Sequence, residues 1–211
     1  MIMFKNIVRC FAVLILLSSA ATNAYSASKT VLVVGDSLSA EYGISRGAGW
    51  VALLDQRLKD QKLPVSVVNA SVSGETTSGG RTRLPALLSK HKPTIVIIEL
   101  GANDGLRGLP VAAAESNLRA MVGESRKAGA QVLLVGIRIP PNYGREYADK
   151  LFAMYGILSK DLKTPLAPFM LDGVAQKPEL FQPDRMHPLA SAHPIILGNI
   201  WPHLQPILKT K

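Results

Sequence analysis

The sequence predicts an α/β domain built on a doubly wound parallel sheet, and two observations carry that reading. Short apolar, β-branched runs recur along the chain, most of them fenced by Gly or Pro. Between them lie amphipathic stretches whose apolar residues return with the period of an α-helix. The apolar runs are continuous rather than alternating, so the strands are buried on both faces, as in a parallel sheet covered by helices.

Taken in order, residues 30–34 (TVLVV) form the first strand and stop at Gly35. Residues 50–62 follow as a helix with Val51, Leu54 and Leu58 on one stripe. Residues 65–69 (VSVVN) make the second strand, starting just after Pro64. Residues 94–100 (TIVIIEL), between Pro93 and Gly101, give the clearest strand of all. An Ala-rich helix over 111–128 turns Leu118, Met121 and Val122 inward, and 131–136 (QVLLVG) is the fourth strand. The helix over 146–162 carries Tyr147, Leu151, Met154, Tyr155, Leu158 and Leu162 at helical spacing. Residues 168–171 read as a short fifth strand. A last helix over 190–208 has to accommodate Pro194, Pro202 and Pro206, so breaks or kinks are expected in it.

The first 27 of the 211 residues are expected to be a secretory signal peptide, leaving 28–211 as one domain. Lys5 and Arg9 precede an apolar core over 10–17 (CFAVLILL). Small residues then run to Ala27, with cleavage expected after Ala24, Ser26 or Ala27. The uncharged run 10–28 has the length of a membrane span, but its second half is small and polar where a span needs about 20 predominantly apolar residues. No stable membrane anchor is therefore expected after cleavage. Cys10 precedes the apolar core, the wrong side for a lipid-accepting cysteine. It is also the only cysteine, so the exported domain carries no thiol and no disulfide. The expected location is the periplasm or surroundings of a bacterium. Loss of Lys5 and Arg9 takes the net charge from +9 to +7. The basic residues are dispersed, without the basic stripe and interleaved aromatics of a nucleic-acid binder. Nothing in the sequence sets the oligomeric state.

In a doubly wound sheet the β-to-α loops share one edge, and ligands bind there. Four predicted loops bring chemistry to that edge. They hold Gly35-Asp36-Ser37-Leu38-Ser39, the stretch 70–76 around Gly74, Gly101-Ala102-Asn103-Asp104, and Asp184-Arg185-Met186-His187-Pro188. Acyl transfer needs such a set. Ser37 supplies a hydroxyl, His187 a base, and Asp184 a carboxylate close enough to orient it. The backbone N–H groups of Ser37 and Gly74 and the Asn103 carboxamide are the candidate oxyanion donors.

In their order, these four blocks resemble the signatures of the SGNH/GDSL hydrolase family. The segments 73–80 (SGETTSGG) and 140–144 (PPNYG) are similar to its periplasmic thioesterase, lysophospholipase and arylesterase branch. That resemblance implies a flavodoxin-like three-layer α/β/α fold with a five-stranded parallel sheet. It also implies a Ser37–His187–Asp184 triad, oxyanion donors at Ser37, Gly74 and Asn103, and no metal or other cofactor. The expected activity is hydrolysis of small-molecule or lipid acyl esters and thioesters. An α/β-hydrolase is excluded, because Ser39 stands where a Gly-x-Ser-x-Gly elbow needs its second glycine. Arg185 is a bulkier, charged residue than expected between Asp184 and His187.

Other residues compete for roles. Asp36 and Asp104 are expected to be structural acceptors. His193 is the rival base, and a zinc site from Asp184, His187 and His193 lacks any supporting motif. Residues 78–83 (SGGRTR) read either as a phosphate cradle or as a loop running into a helix, and a mobile substrate-contacting segment is expected. Leu106, Leu109 and Pro110, with Ile139, Pro140, Pro141 and Tyr143, are candidates for an acyl groove. Two rival functions remain at this level, a carbohydrate O-acetylesterase on the same fold and a non-catalytic binding module.

Overall fold

The computed structural model describes residues 29–210; the predicted leader lies outside the described residues. Strand β1 spans Lys29–Gly35, β2 Val65–Asn69, β3 Ile95–Glu99, β4 Gln131–Val135 and β5 Leu166–Ala167. They form one sheet in the order β2-β1-β3-β4-β5, and all four pairings are parallel. Val31 to Val34 of β1 and the whole of β3 are buried, as continuous apolar runs require.

The helices are α1 (Trp50–Asp60), α2 (Thr77–His91), α3 (Ala102–Leu106), α4 (Val111–Lys127), α5 (Arg145–Leu162) and α6 (His193–Lys209). Helix α1 packs on α6, while α4 packs on both α2 and α5, giving a three-layer α/β/α sandwich. The stripe expected in α1 is present: Val51, Leu54 and Leu58 are buried, together with Trp50. The chain runs outward from β1 to β2 in one direction and through β3 to β5 in the other. Loops after β1 and β3 therefore diverge and open a crevice at the switch point.

Three expectations change. The fifth strand is Leu166–Ala167 rather than 168–171. Gly136 N–H still bonds the Ala167 carbonyl, but Pro168 has no N–H to continue the ladder. Residues 78–83 are not a loop but the opening turns of α2, capped by the Thr76 side chain, which accepts from Gly79 N–H at 3.3 Å. The last helix is not broken. A 3₁₀ turn at Ala190–Ala192 leads into α6, Pro194 sits in the first turn where no N–H is needed, and Pro202 and Pro206 lie on its exposed face.

Candidate active site

Ser37 follows β1 by two residues, in a turn held from below. The Asp36 carboxylate is fully buried and accepts from Leu38 N–H and from the Asn103 carboxamide, each at 3.0 Å. Beneath it, Glu99 ends β3 with no solvent exposure. Its Oε2 accepts from Ser39 Oγ at 2.6 Å and, more weakly, from Asp36 N–H at 3.4 Å. Trp50 Nε1–H donates to Ser39 Oγ at 3.1 Å, and Asn69 donates to the Ser39 carbonyl at 2.7 Å. Glu99 Oε1 has no partner among the described residues. Burial, reinforced by the neighbouring Asp36 charge, pushes the Glu99 carboxyl well above its ordinary range. Burial also raises Asp36 to about 6, against the pull of Leu38 N–H, His187 and Asn103.

The candidate base, His187, comes from the loop between β5 and α6. His187 Nε2 lies 2.9 Å from Ser37 Oγ, and its Nδ1 lies 2.7 Å from Asp184 Oδ2. The other Asp184 oxygen accepts from the backbone N–H groups of Met186 and His187 at 2.9 and 3.0 Å. Partial desolvation raises the Asp184 pKa, but those hydrogen bonds and the imidazole outweigh it and hold the carboxyl at about 2. An ionised Asp184 keeps the Nδ1–H tautomer, leaving Nε2 free to accept the Ser37 proton. A bridge between Phe181 and Pro188 closes the turn, and the Tyr42 ring lies 4.3 Å from the imidazole, centroid to centroid.

The two other candidate oxyanion donors lie in the loops that follow β2 and β3, at the same edge of the sheet. Gly74 has φ +79°, a conformation that favours glycine, and its carbonyl accepts from Arg107 at 2.8 Å. Asn103 stands in α3, and its hydrogen bond to Asp36 fixes the amide orientation.

A cavity of about 430 Å³ opens beside Ser37 and His187. Its apolar wall includes Leu38, Leu106, Ile137, Ile139, Leu171 and Phe181. Of the expected groove residues, Leu106, Ile139 and Pro140 line it. Leu109, Pro110, Pro141 and Tyr143 do not. Leu109 lies beyond the positive-φ turn at Gly108, with its carbonyl held by Tyr147 Oη at 2.6 Å; Pro141–Tyr143 is an outer 3₁₀ turn. Leu109 and Tyr143 are exposed. Residues 78–83 do not line the cavity, and both arginines have partners within the fold. Arg83 bonds Glu75 at 2.6 Å and the Ala70 carbonyl at 3.1 Å, and Arg81 bonds Asn117 at 3.2 Å.

Rival residues fall into structural places. His193 is buried, and burial lowers its pKa. The neutral ring accepts Trp50 N–H through Nδ1 at 3.0 Å, satisfying the start of α1. Asp104 binds Thr77 N–H at 2.8 Å and the Thr77 hydroxyl at 2.6 Å, anchoring α2. Sequence reasoning missed Glu99, although a glutamate ending the apolar run IVIIE was itself a signal. It also missed Tyr42 and the more distant wall residues Leu171 and Phe181, which have no motif.

Fold and site together define a hydrolase of the doubly wound α/β class, with a Ser–His–Asp array at the sheet's switch point. Residues 33–195 match the GDSL-like lipase/acylhydrolase family, and the chain belongs to that family. It is 47% identical over 199 residues to esterase TesA of Pseudomonas aeruginosa, covering 94% of this chain and 96% of that one. To thioesterase 1/protease 1/lysophospholipase L1 of Escherichia coli K12 it is 42% identical over 211 residues, covering 99% and 98%. The crystal structure of the psychrotrophic esterase EstA from Pseudoalteromonas, inhibited by monoethylphosphonate, superposes with a TM-score of 0.82 at 41% identity, covering 86% of this chain and all (100%) of that one.

Proposed function

We propose that this chain hydrolyses carboxylic esters and thioesters through an acyl-enzyme on Ser37. The observation that carries this reading is the unbroken relay from Ser37 Oγ through His187 to Asp184, at 2.9 and 2.7 Å, beside an apolar cavity. Ser37 Oγ attacks the acyl carbon as His187 Nε2 takes its proton. The ionised Asp184 stabilises the imidazolium, and the N–H groups of Ser37 and Gly74 with the Asn103 amide receive the oxyanion. Collapse expels the alcohol or thiol, which takes the proton from His187. Water, activated by the same imidazole, then releases the carboxylic acid.

The apolar wall supports acyl chains longer than acetyl, and the relatives named esterase and thioesterase/lysophospholipase support small-molecule or lipid acyl esters as the substrate class. Both named relatives are bacterial. The basic, apolar and small segments of residues 1–27 support export, with 28–211 as the working domain.

Hydrolysis of p-nitrophenyl esters from acetyl to palmitoyl by the protein and by Ser37→Ala tests the reading. Activity beyond acetyl is expected, with a loss of kcat on the order of 10⁶ in the variant. Turnover unaffected by Ser37→Ala overturns the nucleophile. Activity confined to acetyl points to a carbohydrate O-acetylesterase.

A further inference from the structure

The ionisable residues that line the cavity are Asp36, Arg138, Arg185 and His187. Asp36 is sealed beneath Leu38 and Asn103, and His187 belongs to the relay. The two arginines are exposed, and they arrive on different loops, after β4 and after β5. The Arg138 guanidinium sits 4.7 Å from the Phe152 ring centroid and reaches Asp149 only at 3.4 Å, so it is positioned while most of its donors stay free. Arg185 has no side-chain hydrogen bond or ion pair among the described residues.

The backbone at Arg185 sets it apart. Among the described residues, five other than glycine have positive φ: Glu41, Lys62, Lys92, Lys163 and Arg185. Lys92 and Lys163 close α2 and α5 as left-handed caps, and Lys62 N–H bonds back to Lys59 at the end of α1. The Glu41 carboxylate gathers the N–H groups of Gly47 and Gly49. Arg185 instead has φ +54° inside the turn that lets Asp184 bond Met186 and His187. Glycine meets that requirement at least cost, so this turn carries an arginine against its backbone preference, at the cavity and beside the base.

We propose that Arg185, aided by Arg138, determines specificity by binding a phosphate on the alcohol or thiol half of the acyl substrate. The inference rests on the hydrolase reading above. An acyl chain belongs against Leu106, Ile139, Leu171 and Phe181, where a phosphate would lose its hydration unpaired. The anion therefore stays at the exposed mouth, where a guanidinium fork matches phosphate oxygens. A phosphate there is carried by a lipid headgroup or by a nucleotide-bearing thiol.

Two matched substrate pairs, all octanoyl and below their micellar concentrations, separate these sources. One pair is 1-acylglycerol 3-phosphate against 1-acylglycerol. The other is acyl-coenzyme A against the acyl thioester of N-acetylcysteamine. In Arg185→Gln the ratio of kcat/KM, phosphorylated over neutral, is expected to fall about tenfold or more in at least one pair, through KM, as for a lost charge-assisted contact. Arg185→Lys recovers part of that ratio. The pair that moves identifies the source of the phosphate. Ratios unchanged within about twofold in both pairs, the scale of a screened exposed charge, overturn the subsite alone. No turnover of any of the four substrates by the unaltered protein overturns the hydrolase reading, and the subsite with it.

Discussion

Ser37 and His187 meet at a single hydrogen bond, yet their two loops are built in opposite ways. The loop after β1 is anchored from inside the molecule. Asp36, Ser39 and Glu99 are all buried, and Trp50 and Asn69 add hydrogen bonds from α1 and β2. The turn from Asp184 to His187 lies on the outside, with the Asp184 side chain 35% exposed; that carboxylate bonds two backbone N–H groups and the imidazole, and backbone bonds to Gln182 with the Phe181–Pro188 bridge close the turn from the surface side. The proposed nucleophile and its oxyanion amide need fixed geometry against the sheet, and burial supplies it. The base must shuttle a proton twice per turnover, and a hydrated, ionised carboxylate behind it keeps the tautomer without a buried charge.

The comparison is tested hardest by Asp184→Asn. Asparagine keeps a side-chain oxygen for Met186 and His187 N–H but removes the charge that fixes the tautomer. A fall in kcat of about 10⁴ is expected, as for removal of that charge from other triads. The melting temperature at pH 7 should fall only modestly, because the partly exposed turn screens the charge that the variant removes. In the unaltered protein, the Asp184 contribution to stability is present above its unfolded pKa of 3.8 and is lost as pH falls towards about 2. A large loss of stability at pH 7 would show the turn to be as structural as the nucleophile loop.

Glu99 probes the other side. Glu99→Ala leaves Ser39 Oγ and Asp36 N–H short of an acceptor in a buried place, and is expected to cost about 3 kcal/mol in chemical denaturation. The pH dependence runs opposite to that of Asp184. A carboxyl whose folded pKa is raised binds its proton more tightly in the folded state. Its contribution is full below the unfolded value of 4.5 and is lost as pH rises towards the folded one. Glu99→Gln, neutral at every pH, should therefore flatten the decline of melting temperature as pH rises above 4.5. The same decline in the variant would place that titration elsewhere, with Asp36 the first candidate.

This contrast also explains what was legible in the sequence. Strand cores are local runs, so 65–69 was read with its observed bounds and β1, β3 and β4 to within a residue at either end. Of the relay residues, Ser37 sits in a compact block at a strand end, whereas Asp184 and His187 sit in a block within the connection that leads to α6. Gly79 and Gly80 argued for a loop because glycine is a poor helix former. Only the tertiary packing shows that a Cβ at Gly80 would strike Leu100, so that close approach of α2 to the sheet requires the glycine. The cavity wall was half read for a similar reason. Leu106, Ile139 and Pro140 lie close to recognisable blocks, whereas Leu171 and Phe181 are brought in by a long connection with no motif. The Glu99 network joins residues 36, 39, 50, 69 and 99, a set that no spacing rule groups.

The smallest predicted effect bears on the exposed turn itself. Arg185→Gly relieves a left-handed arginine, worth about 1 kcal/mol, while the added freedom of glycine in the unfolded chain takes back about half of it. The net gain of roughly 0.5 kcal/mol corresponds to a rise of about 1–2 °C in melting temperature for a domain of this size. Such a rise, measured beside the fall expected for Glu99→Ala, would show that the base turn gives up stability to carry a guanidinium at the cavity mouth. A drop in melting temperature would mean that the Arg185 side chain braces the turn, and the division between a braced nucleophile and a lightly held base would lose its sharpest support.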